Sequence, residues 1–268
     1  MKKIVSCILI ILVLFIFIFP YYWMLTVSIQ PNTLLRSLKV LVIKNVSLDN
    51  FKTLFNFKYF YRWNFNSIFT ALVTSILICF SSTLSGYAFA KKQFPGRDII
   101  FWCFLITMAI PKQSILLPLY MLMRDFKMID TYQGLIIPPL AWPMGIFLMK
   151  QIISTIPNEI LDAGKIDGAN EWQIFSRLVV PMAKPGIIAL SIFTFIAVYN
   201  DYFWQLLILN KTKMMTLPLA VATMQDRYSG NITLIMAGAV MASLPMIIVY
   251  IILQKHFIKG IRIGSVKG

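Results

Sequence analysis

Apolar residues fall along this chain in long runs separated by shorter polar stretches. Six runs stand out, over about residues 4–29, 65–90, 99–123, 134–149, 185–209 and 232–254. A helix crossing the hydrocarbon core of a bilayer needs about 20 apolar residues, and together these runs take up about half of the chain. The pattern predicts an all-α integral membrane protein with six transmembrane helices, organised as a single membrane domain over 1–268. The third run is interrupted by Pro111-Lys112-Gln113 and by Pro118, and the fourth holds Pro138, Pro139 and Pro143. The first run opens Met-Lys-Lys like a signal peptide. No small-residue cleavage site follows, and Pro20-Tyr-Tyr-Trp-Met-Leu25 carries the apolar segment on, so it reads as an uncleaved first span.

The longest polar stretch between the later runs, residues 150–184, has a pattern of its own. Ser154 or Thr155 suits a helix N-cap and Pro157 its first turn. Ile156, Ile160 and Ala163 recur at helical spacing. Gly168 suits a helix end, where positive φ is often required. Asn170 with Gln173 three residues on forms a capping-box pattern for a second short helix. That helix has an apolar face of Trp172, Phe175, Leu178 and Val179, and Pro181 stops it. Small residues at Ala163, Gly164, Gly168 and Ala169 let another backbone come close. Two readings compete: a helix pair that docks a protein, or an amphipathic segment lying on the lipid interface. The polar face mixes Glu159, Asp162, Asp167 and Glu171 with Lys165 and Arg177, whereas a lipid-lying helix favours a strongly cationic face.

Composition agrees with the membrane reading. Of 268 residues 59% are hydrophobic and only 13% charged, and mean hydropathy is +0.76. A soluble domain carries roughly 25% charged residues. The net charge of +15 belongs to basic residues flanking the spans, where they set orientation and meet anionic headgroups. No basic stripe stands apart from the spans, which speaks against nucleic acid. With six spans both termini lie on one side, together with residues 91–97 and 150–184. That side holds 13 Lys and Arg and the other 11, but several on the other side (Arg36, Lys39 and Lys44 among them) lie far from a span end. The termini and the 150–184 loop are therefore expected to be cytoplasmic. Cys7, Cys79 and Cys103 sit within apolar runs, and His256 is the only histidine, so no metal site is expected.

The 150–184 pattern resembles the EAA loop of binding-protein-dependent ABC import permeases: Glu-Ala-Ala, three residues, Gly, nine residues, Ile, one residue, Leu-Pro. Here Asp162-Ala163-Gly164 stands in the first position, Gly168 on the glycine, and Leu178-Val179-Val180-Pro181 on the closing element. Spacing matches throughout, while Asp, Gly, Leu and Val replace the usual Glu, Ala, Ile and Leu. Gly164 costs the helix about 1 kcal/mol relative to Ala. Residues 165–175 are similar to the carbohydrate-uptake branch. The resemblance extends to Pro20-Tyr-Tyr-Trp-Met-Leu-Thr-Val-Ser28, to Gly86-Tyr-Ala-Phe-Ala-Lys-Lys-Gln-Phe-Pro-Gly-Arg97, to Tyr199-Asn-Asp-Tyr-Phe-Trp204, and to the ending Gly264-Ser-Val-Lys-Gly268 of the maltose-type second permease. It implies a non-catalytic permease in a bacterial inner or plasma membrane, forming half of a sugar pathway with a second, homologous permease. Two cytoplasmic ABC ATPase subunits and an extracytoplasmic sugar-binding protein complete such a machine. ATP and Mg sit on the ATPase, with no cofactor on the permease. The implied docking residues are Glu159, Asp162, Ala163, Gly164, Asp167, Gly168, Ala169, Trp172 and Pro181. The chain has no Gly-x-x-x-x-Gly-Lys-Ser/Thr loop to cradle ATP phosphates itself.

The fifth run carries Tyr199, Asn200, Asp201, Trp204 and Gln205. An acid near the bilayer centre costs roughly 2.5–3.5 kcal/mol on insertion scales and usually faces a bundle interior or a cavity. Sugar transport calls for hydrogen-bonding groups beside flat aromatic surfaces, so these five residues and Lys112 are candidates for the substrate path. Structural alternatives stand beside each. Asp201 pairs with Lys112 or with a partner permease; Tyr199 and Trp204 belong to an aromatic belt; Lys112 snorkels outward. Two rival functions remain at this point. One is an ABC permease for a polyol, glycerol phosphate or peptide. The other is an ion-coupled secondary transporter, which needs a relay of intramembrane acids and an inverted repeat.

Overall fold

The computed structural model describes residues 2–31, 46–228 and 230–265, with side chains described only from 5 and up to 252. Several residues weighed above therefore lie outside the described side chains: Lys2, Lys3, Arg36, Lys39, Lys44, His256, and the basic tail from Lys255. Residues 266–268 of the terminal motif lie outside altogether. Every regular element among the described residues is helical.

Three helices are individually long and apolar enough to cross a membrane: Val5–Ser28 within α1 (Lys2–Ser28), α3 (Phe60–Lys91), and Ile232–Ile252 within α14 (Ile232–Ser265). The other three predicted spans are each broken into two helices. Residues 99–123 become α4 (Arg97–Thr107) and α5 (Lys112–Asp125), bent by 101°. The bend falls at Pro111, whose ring cannot continue α4, whereas Pro118 lies inside α5 without breaking it. The fourth run becomes α6 (Tyr132–Ile136) with a 3₁₀ turn Pro138–Leu140, then α7 (Pro143–Ser154), bent by 47°. The fifth becomes α11 (Lys184–Tyr199) and α12 (Tyr202–Ile208), separated at Asn200 and Asp201. Counting continuous helices gives three candidate spans and counting each bent pair once gives up to six, but the third such pair joins Glu171–Met182 to Lys184–Tyr199 and so includes part of the 150–184 loop rather than the 185–209 run alone.

The chain divides into two compact units, Met1–Asn66 with Met215–Ile247, and Ser67–Met214 with Ile248–Gly268. In the first, α2 (Asp49–Phe55) and α13 (Leu217–Arg227) pack through Leu54, Phe60, Trp63, Leu217, Met224 and Leu234. The Asn50 amide donates to the Ser28 and Gln30 carbonyls at 2.9 and 3.0 Å, and Thr233 donates to Asn50 Oδ1 at 3.1 Å.

The second unit is built on close contact between helix backbones. A Cβ on Gly86 of α3 would meet Met149 Cβ at 2.7 Å and the Lys150 nitrogen at 2.8 Å, and one on Gly145 of α7 would meet Ser82 Oγ at 2.5 Å. Residues 82 and 86 thus face 145 and 149, so α3 and α7 run parallel in contact allowed by small residues, as is usual where lipid offers no hydrophobic drive. On another face of α3, Ser75 bonds Thr194 and the Ser191 carbonyl, and Cys79 approaches the Ile187 carbonyl, so α11 runs antiparallel to it. The loop after α5 has a role the sequence did not betray. Asp130, at φ 58°, accepts from the Asn210 and Lys211 amides, both at 2.7 Å, and ties 126–131 to the end of α12.

Candidate functional site

Residues 155–183 form a helical hairpin. The N-terminal boundary differs from expectation: α7 runs through Ser154, Thr155 closes it, and Pro157 occupies the cap position of α8 (Asn158–Ile166). The Ser154 and Thr155 hydroxyls donate back to Lys150 and Ile152 carbonyls, so they finish one helix rather than start the next. The α8 C-terminus matches its pattern. Gly168 has φ +82°, its amide donates to the Lys165 carbonyl at 3.0 Å, and the Ala169 amide donates to the Gly164 carbonyl at 2.9 Å. This is a Schellman ending, which satisfies carbonyls the helix leaves open. The capping box on α9 (Glu171–Gln173) is present with both bonds, Gln173 N–H to Asn170 Oδ1 at 2.9 Å and Asn170 N–H to Gln173 Oε1 at 2.8 Å.

Pro181 does not stop the second helix. A π-helical stretch, Ile174–Val179, leads into α10 (Val180–Met182), whose first turn accommodates the proline. The direction changes instead at Ala183, where the chain turns 77° into α11.

The hairpin has an inner and an outer side. Inward, Ile156, Leu161, Ile174, Phe175 and Val179 are buried with Tyr87, Met149, Ile153 and Leu190 of α3, α7 and α11. At Gly164 α8 lies close against the second helix: an added Cβ would stand 2.8 Å from Leu178 Cδ1, so Ala here requires only that the end of that side chain shift. Outward, Glu159, Asp162, Ala163, Asp167, Gly168 and Pro181 are exposed, Ile166 is 86% exposed and Trp172 58%. Nothing stands within 4 Å of the position a Gly168 side chain would take.

Two polar ties fix the hairpin to the end of α3. Lys91 Nζ donates to the Ile156 carbonyl at 2.5 Å and to Asn158 Oδ1 at 2.9 Å. Glu171 pairs with Lys92 and accepts from the Tyr87 hydroxyl at 3.0 Å. The Lys92 hydrogen bond holds the exposed Glu171 carboxyl below its usual range. These partners could not be read from the sequence, because α3 and α9 are some 80 positions apart in it.

The candidates for a substrate path separate into two groups. Lys112, at the start of α5, forms an ion pair with Asp201, whose other oxygen accepts from the Trp204 amide at 3.4 Å and so caps α12. Both line a half-open cavity of about 440 Å³ at the break points of α4–α5, α6–α7 and α11–α12. Asn200 is exposed at the last of these breaks. Tyr199, Trp204 and Gln205 are buried in the packing instead. The Trp204 ring N–H donates to the Gly134 carbonyl at 3.0 Å and the Gln205 amide to the Val198 carbonyl at 3.1 Å. Among the described residues no cluster of His, Cys, Asp and Glu is placed to hold a metal ion.

A multi-pass helical chain with an exposed helical hairpin and a cavity at helix breaks defines a membrane transport component. Residues 82–263 match the family described as "Binding-protein-dependent transport system inner membrane component". The chain belongs to this family of ABC permeases, and the ion-coupled secondary-transporter reading is set aside. It is 36% identical over 257 residues to the arabinooligosaccharides transport system permease protein AraQ of Bacillus subtilis (strain 168), covering 94% of this chain and 92% of that protein. It is 30% identical to the trehalose transport system permease protein SugB of Mycobacterium tuberculosis (strain CDC 1551 / Oshkosh), covering 93% and 92%. A chain of a bacterial ABC transporter involved in the import of the acidic polysaccharide alginate shares the fold, with a TM-score of 0.85 at 23% identity over 96% of each chain.

Proposed function

We propose that this chain is one permease of an ATP-driven carbohydrate importer, a single permease domain that forms half of the translocation pathway. It couples to a cytoplasmic ATPase through the hairpin of 155–183. The observation that carries the reading is the hairpin's outer side. An exposed Ile166 and Trp172 flank an open, positive-φ Gly168 on a frame rooted in buried contacts, which suits a surface that meets a protein. Glu159, Asp162, Ala163, Asp167, Ala169 and Pro181 surround or support that surface, and Gly164 holds the two helices together beneath it.

The rest of the assembly follows from the family. A second, homologous permease completes the pathway, two separate ABC ATPase chains hold ATP and Mg, and an extracytoplasmic binding protein delivers the sugar. With six spans both termini and the hairpin are cytoplasmic. Carbohydrate is favoured over a polyol, glycerol phosphate or peptide because the two relatives named above carry oligosaccharides or trehalose in their names. Affinity purification of the tagged chain in mild detergent tests the reading. Recovery of a soluble ATPase and a second related permease is expected. A chain that purifies alone, or only with copies of itself, overturns it.

A further inference from the structure

The cavity at the three helix breaks has a chemistry of its own. Its walls are apolar, with Met108, Ile115, Pro139, Trp142 and Met144 among them, and among the described residues Lys112 and Asp201 are the only charged ones that line it. Each helix break contributes to it: Met108 and Ile110 between α4 and α5, Ala141 and Trp142 ahead of α7, Asp201 between α11 and α12. Irregular backbone at membrane depth is tolerated where it lines a cavity, and broken helices in transporters commonly frame a binding site.

The ion pair is incompletely used. A lysine ammonium carries three donors, and Asp201 takes one of those on Lys112. Each carboxylate oxygen offers about two acceptor sites; at Asp201 one oxygen meets Lys112 and the other the Trp204 amide. The side chain of Lys112 is 58% exposed and that of Asp201 16%. Donors and acceptors therefore stand side by side at an apolar wall that includes an indole ring. Because the two charges cancel, a second carboxylate entering here would find its counterion already taken and would pay desolvation without a partner.

We propose that the Lys112–Asp201 pair and the wall around Trp142 form a sugar subsite on this permease, selective for neutral over acidic saccharides. Adjacent hydroxyls of a sugar unit bond to the ammonium and the carboxylate, and the C–H face of the ring lies on the apolar wall. The cavity volume is near the lower end for small-molecule sites, which suits one short stretch of saccharide rather than a long chain. The proposal rests on the carbohydrate-importer reading above.

The test uses cells carrying the complete importer and labelled arabinotriose, maltotriose and trehalose as neutral probes, with trigalacturonate as the acidic one. Wild type is expected to take up at least one neutral probe and not the acid. Ala141→Trp narrows the cavity without changing either charged residue, and should raise the KM for that sugar about tenfold or more. The exchange Lys112→Asp with Asp201→Lys restores a salt bridge with its donors and acceptors reversed. It is expected to leave the ATPase co-purifying normally while KM stays raised. A pair that serves only as a salt bridge predicts instead that the exchange restores uptake; because the exchange also removes the carboxylate oxygen that caps α12, a raised KM in it counts for the subsite only together with a raised KM in Ala141→Trp. Wild-type KM in both Ala141→Trp and the exchanged pair overturns the subsite and leaves the importer standing. Wild-type uptake of the acid in preference to every neutral probe, or of none of the four, overturns the carbohydrate reading or its neutral form together with the subsite. If the exchanged pair does not assemble, Ala141→Trp decides alone.

Discussion

Gly168 offers a perturbation in which folding and docking separate. Its φ of +82° lies where an L side chain is strained, and an added Cβ meets no atom within 4 Å. Any substitution therefore carries a backbone cost, about 1–2 kcal/mol for a residue held in the left-handed region, and almost no steric cost within the chain. Alanine and arginine share that backbone cost. Asparagine, which tolerates the left-handed conformation, pays less of it. The Schellman bonds use the amides of Gly168 and Ala169, which every variant keeps. Gly168→Ala and Gly168→Arg should thus lose nearly equal thermal stability in detergent, and Gly168→Asn less. Transport should order them differently. Arginine projects a long cationic chain from the outer side of the hairpin, and uptake should fall about 100-fold with loss of the co-purifying ATPase, a coupling loss of roughly 3 kcal/mol. Alanine should keep most of its uptake. Normal uptake by Gly168→Arg refutes the docking surface. So does an equal loss in both variants that follows their thermal stability, since the residue would then matter only to the fold.

Three further outcomes follow from contacts in the second unit. Gly86→Ala brings a methyl within 2.7–2.9 Å of the Met149 and Lys150 backbone region, so α3 and α7 must separate, at a cost of about 1–3 kcal/mol; size-exclusion yield of the tagged protein should drop, and an unchanged profile counts against the parallel contact. Trp204→Phe removes the N–H that donates to the Gly134 carbonyl and leaves that acceptor without it, at about 1–3 kcal/mol, seen as a lower Tm with the choice among sugars unchanged. The Glu171 carboxyl is held low by Lys92, so its contribution is present above the ordinary glutamate range and is lost as pH falls through its depressed folded value. ATPase retention should accordingly be flat from about pH 8 to 5 and Glu171→Gln should matter only slightly, as expected of an exposed pair; a sharp change near neutrality contradicts this assignment.

The long apolar runs made helix existence and class readable, because about 20 uninterrupted apolar residues admit few other structures. Local chemistry was equally readable where it depends on neighbours in sequence. Gly168 took the predicted positive φ, and Asn170 with Gln173 formed the predicted box. The errors arose where a residue had two local roles. Pro181 signals either a stop or a first turn, and the deciding fact is a turn at Ala183 that no residue near Pro181 announces. Ser154 and Thr155 suit an N-cap, yet their hydroxyls turn back to the preceding helix. Contacts between distant segments were legible only as alternatives. Lys112 was one of the partners considered for Asp201, and chain spacing alone could not choose it. The partners of Glu171 and the tie at Asp130 had no sequence signal at all.

The arrangement also bears on how the two candidate sites communicate. Alpha-helices α7 and α11 each reach both. At one end, Met149 and Ile153 of α7 and Leu190 of α11 are buried in the same cluster as Leu161, Ile174 and Phe175 of the hairpin. At the other, Pro143 and Met144 of α7 and Ala197 and Val198 of α11 line the cavity. With 12 and 16 residues at 1.5 Å each, these helices span about 18 and 24 Å. No break interrupts either helix between its two ends, and α3 is packed against both through Gly86, Ser75 and Thr194. Cores packed this closely do not deform gradually. Helices α7 and α11 are thus continuous connections between the hairpin's buried cluster and the cavity, and each meets a break at the cavity end, at 141–142 and 200–201. Asp201 occupies one of those breaks and Lys112 follows the break at Pro111, so movement of α11 relative to α5 alters the distance between the two charges directly. The Lys112–Asp201 pair therefore sits where these breaks meet, at the cavity end of the two helices that reach the hairpin.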